Sequence, residues 1–514
     1  MANEDPGEES GHTTDDHIRI DIRHWESEFS GLIIYRIPRK LRKVNQSAYT
    51  PQLVSIGPFH YGNGLLSEME TVKSEYYYPS FLKRFDKKIK EDDLKKVIKD
   101  CSDNLRHSYE GIPAKLLGDD DDYKLFEEMI LRDACFILEL FLRNVSDSEQ
   151  ERKRDCILRI PWLRKAIKLD LILLENQIPF FVLEKVYQVV KEHLPPVRIP
   201  SSKSSCFSSN CDSVDPHMMS SCRCFFGGTS LTCCQVEKSS PQKAADHVDQ
   251  GGVCTNLCND TLLKLTLYFF EEHYLTETCG RVKVQDIGDI KHFTDLIREF
   301  WLPRKIMENM KPGGAESITE RKYLYSATKL DTAGVTFEPA RKGTCLSDVK
   351  ISKKKIILKF IPIIKGMRLK LPELKLENDT ESLLRNVMAL EQCLYPDEDY
   401  ICGYVALMDQ LINTGGDVEF LVDKKILTNL LGSHKEAAKL INGLCNQIPR
   451  EKSYYARFYN ELNTFYENRW NVTRATLKKV YFKDLWTGSS TVVGLFVLLF
   501  TVSATLKNVY FRHL

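Results

Sequence analysis

One stretch near the C-terminus constrains this chain most. Leu485 to Leu506 reads LWTGSSTVVGLFVLLFTVSATL, twenty-two residues without a charge. As a helix rising about 1.5 Å per residue it would extend about 33 Å, against a bilayer hydrocarbon core of about 30 Å. The pattern predicts one C-terminal transmembrane helix over 485–506, followed by a short tail, 507–514. The densely apolar part, Val492 to Val502, is short, and a run of that size also suits a buried core helix. On a helical wheel Thr487, Thr491, Gly494, Leu498, Thr501 and Thr505 share one narrow stripe, with the bulkiest residues mostly elsewhere. Such a stripe suits a helix that packs on another helix, and self-association through Thr487, Thr491, Gly494, Thr501 and Thr505 is the partner it suggests.

The opening MANEDPGEESGHTTDD has six acids, no Lys or Arg and no apolar run, unlike a signal peptide. A tail anchor is therefore expected: a single-pass membrane protein attached through Leu485 to Leu506, its bulk on the cytoplasmic side, the plasma membrane favoured. Arg474, Lys478, Lys479 and Lys483 before the segment, against Lys507 and Arg512 after it, point the same way. On that side the sixteen cysteines do not imply disulfides, and the sequons at Asn45, Asn144, Asn259, Asn378 and Asn471 read as chance matches. A net charge of +1 gives no polyelectrolyte character, so no nucleic acid partner is expected.

Along the chain, residues 1–30 are polar and acidic and read as a disordered N-terminus. From Ile33 to Gly62, Ile33, Ile34, Tyr35, Val54 and Ile56 predict short strands, with turns at Pro38, Pro51 and Gly57-Pro58. Leu66 to Leu105 turns helical and charged, with Met69, Val72, Tyr76, Leu94, Val97 and Ile98 as candidate core contacts and Pro79 expected to kink or divide it. The acidic run Asp119–Asp122 lacks the spacing and glycine of a calcium loop and reads as a solvated helix start. Helices are predicted at Glu127–Leu142 and Leu163–Val190. The second contains too many apolar residues for one stripe, so Asp170, Glu175, Asn176 and Gln177 are set in a buried surrounding and must find partners.

DLILLENQIPFFVL in that second helix resembles the signature of the plant-specific domain-of-unknown-function 247 family (the UPF0481 type). IYRIPRKLR, YTPQLVSIGPFHYG, MILRDACFILELFL, ATKLDTAGVTF, RNVMALEQC and YVALMDQLINTGGDVEFL are similar to family motifs in family order, as is the closing LKKVYFKDLW before an apolar segment. The resemblance implies a mainly helical, membrane-associated plant protein in a family without an established biochemical activity. Some relatives are associated with pollen–stigma self-incompatibility in grasses.

These motifs bracket an insertion. The Ser- and Cys-rich stretch over 197–256 separates an N-terminal half of the helical domain, 31–196, from a C-terminal half, 257–484. A zinc site built from Cys222, Cys224, Cys233, Cys234 and His217 lacks a C-x-x-C knuckle, so a flexible insertion without metal is expected. His292 and Asp295 are three residues apart and predict a structural His–carboxylate pair on one helix face. Strands are expected between Gly334 and Leu376. Ten Lys/Arg and one Asp lie from Arg341 to Lys370. Lysines that discourage edge-to-edge pairing explain them more simply than attraction to an anionic leaflet or an acidic partner. Helices follow at Leu383–Cys393, Ile401–Leu411, Asp417–Leu431, Lys435–Cys445 and Tyr454–Tyr481, with Arg385, Asn386, Glu391 and Gln392 read as core hydrogen-bonding groups.

The fold class expected is mainly α: a large helical body with a small β element plus one C-terminal transmembrane helix. No catalytic, cofactor-binding or metal-binding motif is present, and no cofactor is expected. An interaction or signalling protein tethered to a membrane and engaging a protein partner accounts for most of the pattern. The alternative is an enzyme using the dispersed acids Asp133, Glu139, Asp170 and Glu175 in a helical cleft.

Overall fold

The computed structural model describes residues 31–85, 88–117, 123–146, 153–194, 261–270, 289–302, 323–341, 344–358, 361–448, 454–473, 476 and 485–512. The acidic N-terminus, the Asp119–Asp122 run and the 197–256 insertion with its cysteines lie outside these residues. Eleven helices carry the architecture discussed below: α1 (Arg39–Val44), α2 (Glu91–Asp100), α3 (Lys124–Asn144), α4 (Pro161–Asp170), α5 (Phe180–Val190), α6 (Thr261–Phe270), α7 (Phe293–Trp301), α8 (Thr380–Leu394), α9 (Tyr400–Leu411), α10 (Gly415–Asp423) and α11 (His434–Leu444). Two more, α12 (Ala456–Glu467) and α13 (Leu485–Arg512), close the chain. A three-stranded sheet has β3 (Ile361–Leu371) at its centre, with β1 (Val335–Pro339) parallel to it on one side and β2 (Lys350–Leu358) antiparallel on the other. A second sheet pairs β4 (Leu374–Leu376) with β5 (Leu427–Asn429) in parallel.

Helix α3 is the axis of the N-terminal half. Ile130, Ala134, Ile137 and Phe141 are buried as their spacing predicts, but so are Phe126, Leu131, Phe136 and Leu138, so the helix is enclosed nearly all round. Phe141 joins α3 to α6 and α7, its ring centroid 4.8 Å from Phe269, 6.3 Å from Phe270 and 5.8 Å from Phe293.

Several expectations need correcting. The strands expected over Ile33–Ile56 are absent: Ile34, Val54 and Ile56 are fully buried, yet the segment forms only α1, a short 3-10 turn and one isolated bridge to Tyr109. Its backbone donors go to buried side chains instead of a neighbouring strand. Val72–Tyr77 is a π-helical turn directly before Pro79, which sits in the first turn of Tyr78–Lys83, where its missing N–H is harmless. The wider turn rotates the helix face, so Tyr77 is buried and Tyr76 is exposed, contrary to the periodic reading. Leu163–Val190 is two helices, α4 and α5, with Leu171–Pro179 between them. The helix expected to run to Leu431 ends at Asp423, because Lys425 adopts a left-handed φ of 57° and the chain leaves into β5.

The transmembrane expectation is also overturned. Among the described residues no helix is long and apolar enough to cross a membrane. Helix α13 runs from Leu485 to Arg512, but its densely apolar block, Val492–Val502, covers only about 16 Å, roughly half of a bilayer core. The rest is hydroxyl- and glycine-rich before that block and carries Lys507, Asn508 and Arg512 after it. The transmembrane helix, the tail anchor, the single-pass placement with a cytoplasmic bulk and the membrane as partner are therefore withdrawn.

Candidate functional site

The buried polar groups of the ENQ signature and its surroundings form one connected constellation. The Asp170 carboxylate ends α4 and faces the N-terminal segment, where its Oδ1 accepts the N–H of Gln52 at 2.9 Å and its Oδ2 those of Leu53 at 2.7 Å and Val54 at 3.0 Å. Burial pushes this carboxyl up to about 6, against the three N–H bonds that favour its charged form. Asn176 works beside it: Oδ1 accepts the N–H of Ile56 at 2.8 Å, while Nδ2 donates to the carbonyls of Val54 and Asp170.

Gln177 secures the turn between α4 and α5. Its Nε2 donates to the carbonyls of Leu171 and Leu173, at 2.6 and 2.8 Å, and its Oε1 accepts the N–H of Phe293 at the start of α7. The carbonyls released where α4 ends before Pro179 are thus satisfied by side chains of the same signature. Its own carbonyl accepts the Tyr109 hydroxyl at 3.1 Å and lies against Gly57, where a Cβ would stand 2.2 Å from the oxygen. Gly57 has φ +72°, and its N–H donates to Asp133 Oδ2 at 2.8 Å.

Two further carboxylates complete the cluster. Glu175 accepts the Ile37 N–H at 2.6 Å, pairs with Arg42 and lies 3.5 Å from His60 Nε2. Burial would raise its carboxyl, but the bonds from His60, Arg42 and Ile37 more than offset this and hold it below the usual range. Asp133 Oδ1 takes the Lys73 ammonium at 2.5 Å, and that ammonium also reaches Glu70 at 2.7 Å and the Ser55 carbonyl at 2.6 Å. Burial pulls Lys73 down while Asp133 and Glu70 raise it, with a net shift upward. Burial, reinforced by Glu70, also pushes Asp133 up despite Lys73, as befits two acids sharing one ammonium.

The acids offered as catalytic candidates do not converge on an open cleft. Asp133, Glu139 and Asp170 are each about 1% exposed and Glu175 5%. Glu139 is held separately, by both nitrogens of the Arg84 fork at 2.9 Å and by Arg143 at 2.7 Å. His292 and Asp295 share the start of α7 but do not pair through the carboxylate. His292 Nδ1 accepts the Asp295 backbone N–H at 3.4 Å, and Nε2 contacts the Ile33 carbonyl at 3.1 Å. Burial pulls the imidazole down to about 3 against that carbonyl, so it is neutral and carries its proton on Nε2. The Asp295 carboxylate accepts the Lys291 N–H and the Tyr395 hydroxyl.

Helix α8 ties the two halves together. Asn386 Oδ1 accepts the Leu174 N–H at 2.9 Å, and Nδ2 donates to the carbonyls of Ala48 and Ser382. Arg385 bonds Glu381 and the Gly443 carbonyl, and Gln392 the Met388 carbonyl. Glu391 caps α9 by accepting the N–H groups of Ile401 at 3.0 Å and Cys402 at 2.8 Å, with Arg298 Nε at 3.2 Å. Burial pushes its carboxyl up to about 7. Lys73 and Arg298, both enclosed, escaped the sequence reading: Lys73 lies in the stretch expected to be helical and charged, and in the helix of Arg298 only His292 and Asp295 stand out by their spacing.

Chain order and spacing now have a three-dimensional counterpart: the segments that carry the motifs are those this constellation binds together. Residues 34–500 match DUF247, described as a plant protein of unknown function. The chain belongs to this family. Its relatives include the UPF0481 protein At3g47200 of Arabidopsis thaliana, 26% identical over 488 residues that cover 91% of this chain and 84% of the relative. A second UPF0481 protein of Arabidopsis thaliana, At3g02645, is 24% identical over 498 residues, 88% of this chain and 85% of the relative. No solved structure matches. In this DUF247 chain the ENQ signature is therefore a clamp: it fixes an irregular N-terminal segment by supplying the hydrogen bonds that a strand partner would otherwise supply.

Proposed function

We propose that this chain is an interaction protein whose helical body engages a protein partner through α13, the partner being a second copy of the chain. The observation that carries the reading is the exposure of α13. Val493, Phe496, Val497, Leu499, Phe500 and Leu506 are each more than half exposed on one helix, a contiguous apolar surface of the kind that marks an interaction site.

The small-residue stripe favours a helix as the occupant. A Cβ on Gly494 would meet nothing within 4 Å. The hydroxyls of Thr501 and Thr505 donate to the carbonyls of Val497 and Thr501, at 3.0 and 2.8 Å, so these residues offer methyl groups with no unmet polar demand. Close approach of a like helix is then dry and inexpensive. The buried acids support a role without catalysis of their own, since Asp133, Glu139, Asp170 and Glu175 are all engaged in bonds that hold the fold.

Sedimentation equilibrium of the full chain tests this reading. The expected result is a concentration-dependent dimer that Phe496→Glu/Phe500→Glu weakens by about tenfold or more, with thermal stability of the body unchanged. A chain that stays monomeric up to about 50 μM, or a dimer indifferent to that double substitution, would refute it.

A further inference from the structure

A second surface, separate from α13, lies where α2 meets the start of α3. Helix α2 ends at Asp100, Cys101 leaves the helical line at φ −115° and ψ 11°, and a short helix, Ser102–His107, follows. Buried Leu94, Ile98 and Leu131 belong to the core on which α2 and α3 pack. Arg106 ties the short helix to the start of α3, its guanidinium 4.2 Å from the centre of the Tyr123 ring. These three pieces border a cavity of about 570 Å³, a volume within the range of small-molecule sites.

Its two walls differ in sign. Helix α2 contributes Lys95, Lys96 and Lys99, α3 contributes Glu127 and Glu128, and Ile98 and Leu131 add apolar contact. Several of the charges that line it have partners of their own. Lys95 takes Glu91 at 2.9 Å, Arg106 takes Asp103, Glu128 takes Arg132 at 3.6 Å, and Lys124 is engaged as well. Lys96, Lys99 and Glu127 make no ion pair among the described residues. A solvated helix face explains the lysines alone, and a first-turn acid that complements the helix dipole explains Glu127 alone. Neither explains two unpaired cations and an unpaired carboxylate that line one cavity from two helices without reaching each other.

We propose that this cavity binds a small zwitterion of the amino-acid type, its carboxylate on Lys96 and Lys99 and its ammonium on Glu127. An apolar or aromatic side chain of the ligand would lie against Ile98, Leu131 and Tyr123. Such a ligand answers both unpaired sets at once and leaves the existing pairs intact. A simple anion would satisfy the lysines and bring negative charge towards Glu127, and a simple amine would do the reverse. A wholly apolar ligand would cover all three charges without a counterpart.

Isothermal titration of the full chain tests this, with L-phenylalanine as probe. Phenylpropionate is the analogue without the ammonium, and phenethylamine the analogue without the carboxylate. Phenylalanine is expected to bind with a Kd of about 1 mM or tighter, and each analogue at least about tenfold more weakly. Lys96→Gln/Lys99→Gln is expected to bring phenylalanine down to the level of phenethylamine, and Glu127→Gln to the level of phenylpropionate. Lys435→Gln/Lys439→Gln on α11, with the same loss of charge as the lysine pair, is expected to change its affinity by less than about twofold. No binding up to about 10 mM, an analogue that binds as well as phenylalanine, or cavity variants no weaker than the α11 variant would each overturn the proposal. If the double lysine variant fails to fold by circular dichroism, Lys99→Gln alone is expected to show the weakening, and its absence there counts equally against the idea. The comparison of phenylalanine with its two analogues needs no variant, and none of these readouts depends on self-association through α13.

Discussion

Gly57→Ala tests the signature clamp at its tightest point. At φ +72° a Cβ costs about 1–2 kcal/mol from left-handed backbone strain alone. It would also stand 2.2 Å from the Gln177 carbonyl oxygen, so one of the two must retreat by roughly 1 Å to restore van der Waals contact. Neither is free to do so. The Gly57 N–H is bonded to Asp133, and the Gln177 residue is held by Tyr109, Leu171, Leu173 and Phe293. A displacement of that size removes at least one buried hydrogen bond, for a further cost of about 1–3 kcal/mol. The sum is about 2–5 kcal/mol, a large part of the stability of an ordinary domain.

Gly111 supplies the control. Its φ is +74°, almost identical, but a Cβ there would meet nothing within 4 Å. Gly111→Ala should therefore show the backbone component alone, about 1–2 kcal/mol. Urea unfolding followed by far-ultraviolet circular dichroism compares the two at matched m-value, and near-ultraviolet signals check that both probes report one transition. The expected gap is about 1–3 kcal/mol, with Gly57→Ala the weaker protein. A gap below about 0.5 kcal/mol would mean that the contact between Gly57 and Gln177 relaxes freely, and the clamp argument would fail with it.

Three further outcomes are expected. Asp170→Asn turns an amide NH₂ towards backbone donors that now meet a carboxylate, so a loss of about 2–3 kcal/mol is expected in urea titrations; a loss under about 0.5 kcal/mol would remove Asp170 from the clamp. His292 is held near pKa 3 in the fold against about 6.5 unfolded, so its contribution is complete above about pH 6.5 and declines by up to about 1.4 kcal/mol per unit as pH falls towards 3. Asp133, Asp170 and Glu391 are shifted upward and act in the opposite sense, so the difference between wild type and His292→Gln isolates the histidine; a pH-independent difference would contradict its buried neutral state. Tyr404 is fully buried and its hydroxyl has no hydrogen-bond partner among the described residues, so Tyr404→Phe should raise stability by about 1 kcal/mol; a comparable loss would reveal a bridging water.

The limits of the sequence follow from the range of the interactions. Apolar periodicity reports contacts within a turn or two, and it located α3, α9 and α11 closely. It also marked Asp170, Glu175, Asn176 and Gln177 as polar groups in an apolar setting, which is where the constellation lies. It does not say what they bond. Asp170 serves Val54 across 116 residues and Asn386 serves Leu174 across 212, and no local pattern encodes such distances.

The same reasoning explains why the N-terminal segment imitates a strand. Its alternation is real because Ile34, Val54 and Ile56 are buried, but burial fixes only side-chain direction and leaves the N–H partners open. Side chains from α3, α4 and the turn before α5 supply them. The single-residue phase error has an equally local cause: the π turn at Val72–Tyr77 exchanges Tyr76 for Tyr77, while Leu94 and Ile98 in the next helix are buried as their spacing predicts. The C-terminal segment departs from expectation for a different reason: it is free of charge over 485–506 but rich in hydroxyls. Charge-free and apolar are distinct properties, and the threonines of α13 bond their own helix carbonyls and leave the face open to close helix contact. The apolar side chains exposed on α13 leave a surface open to a partner, and the sedimentation experiment asks whether a second copy of the chain covers it.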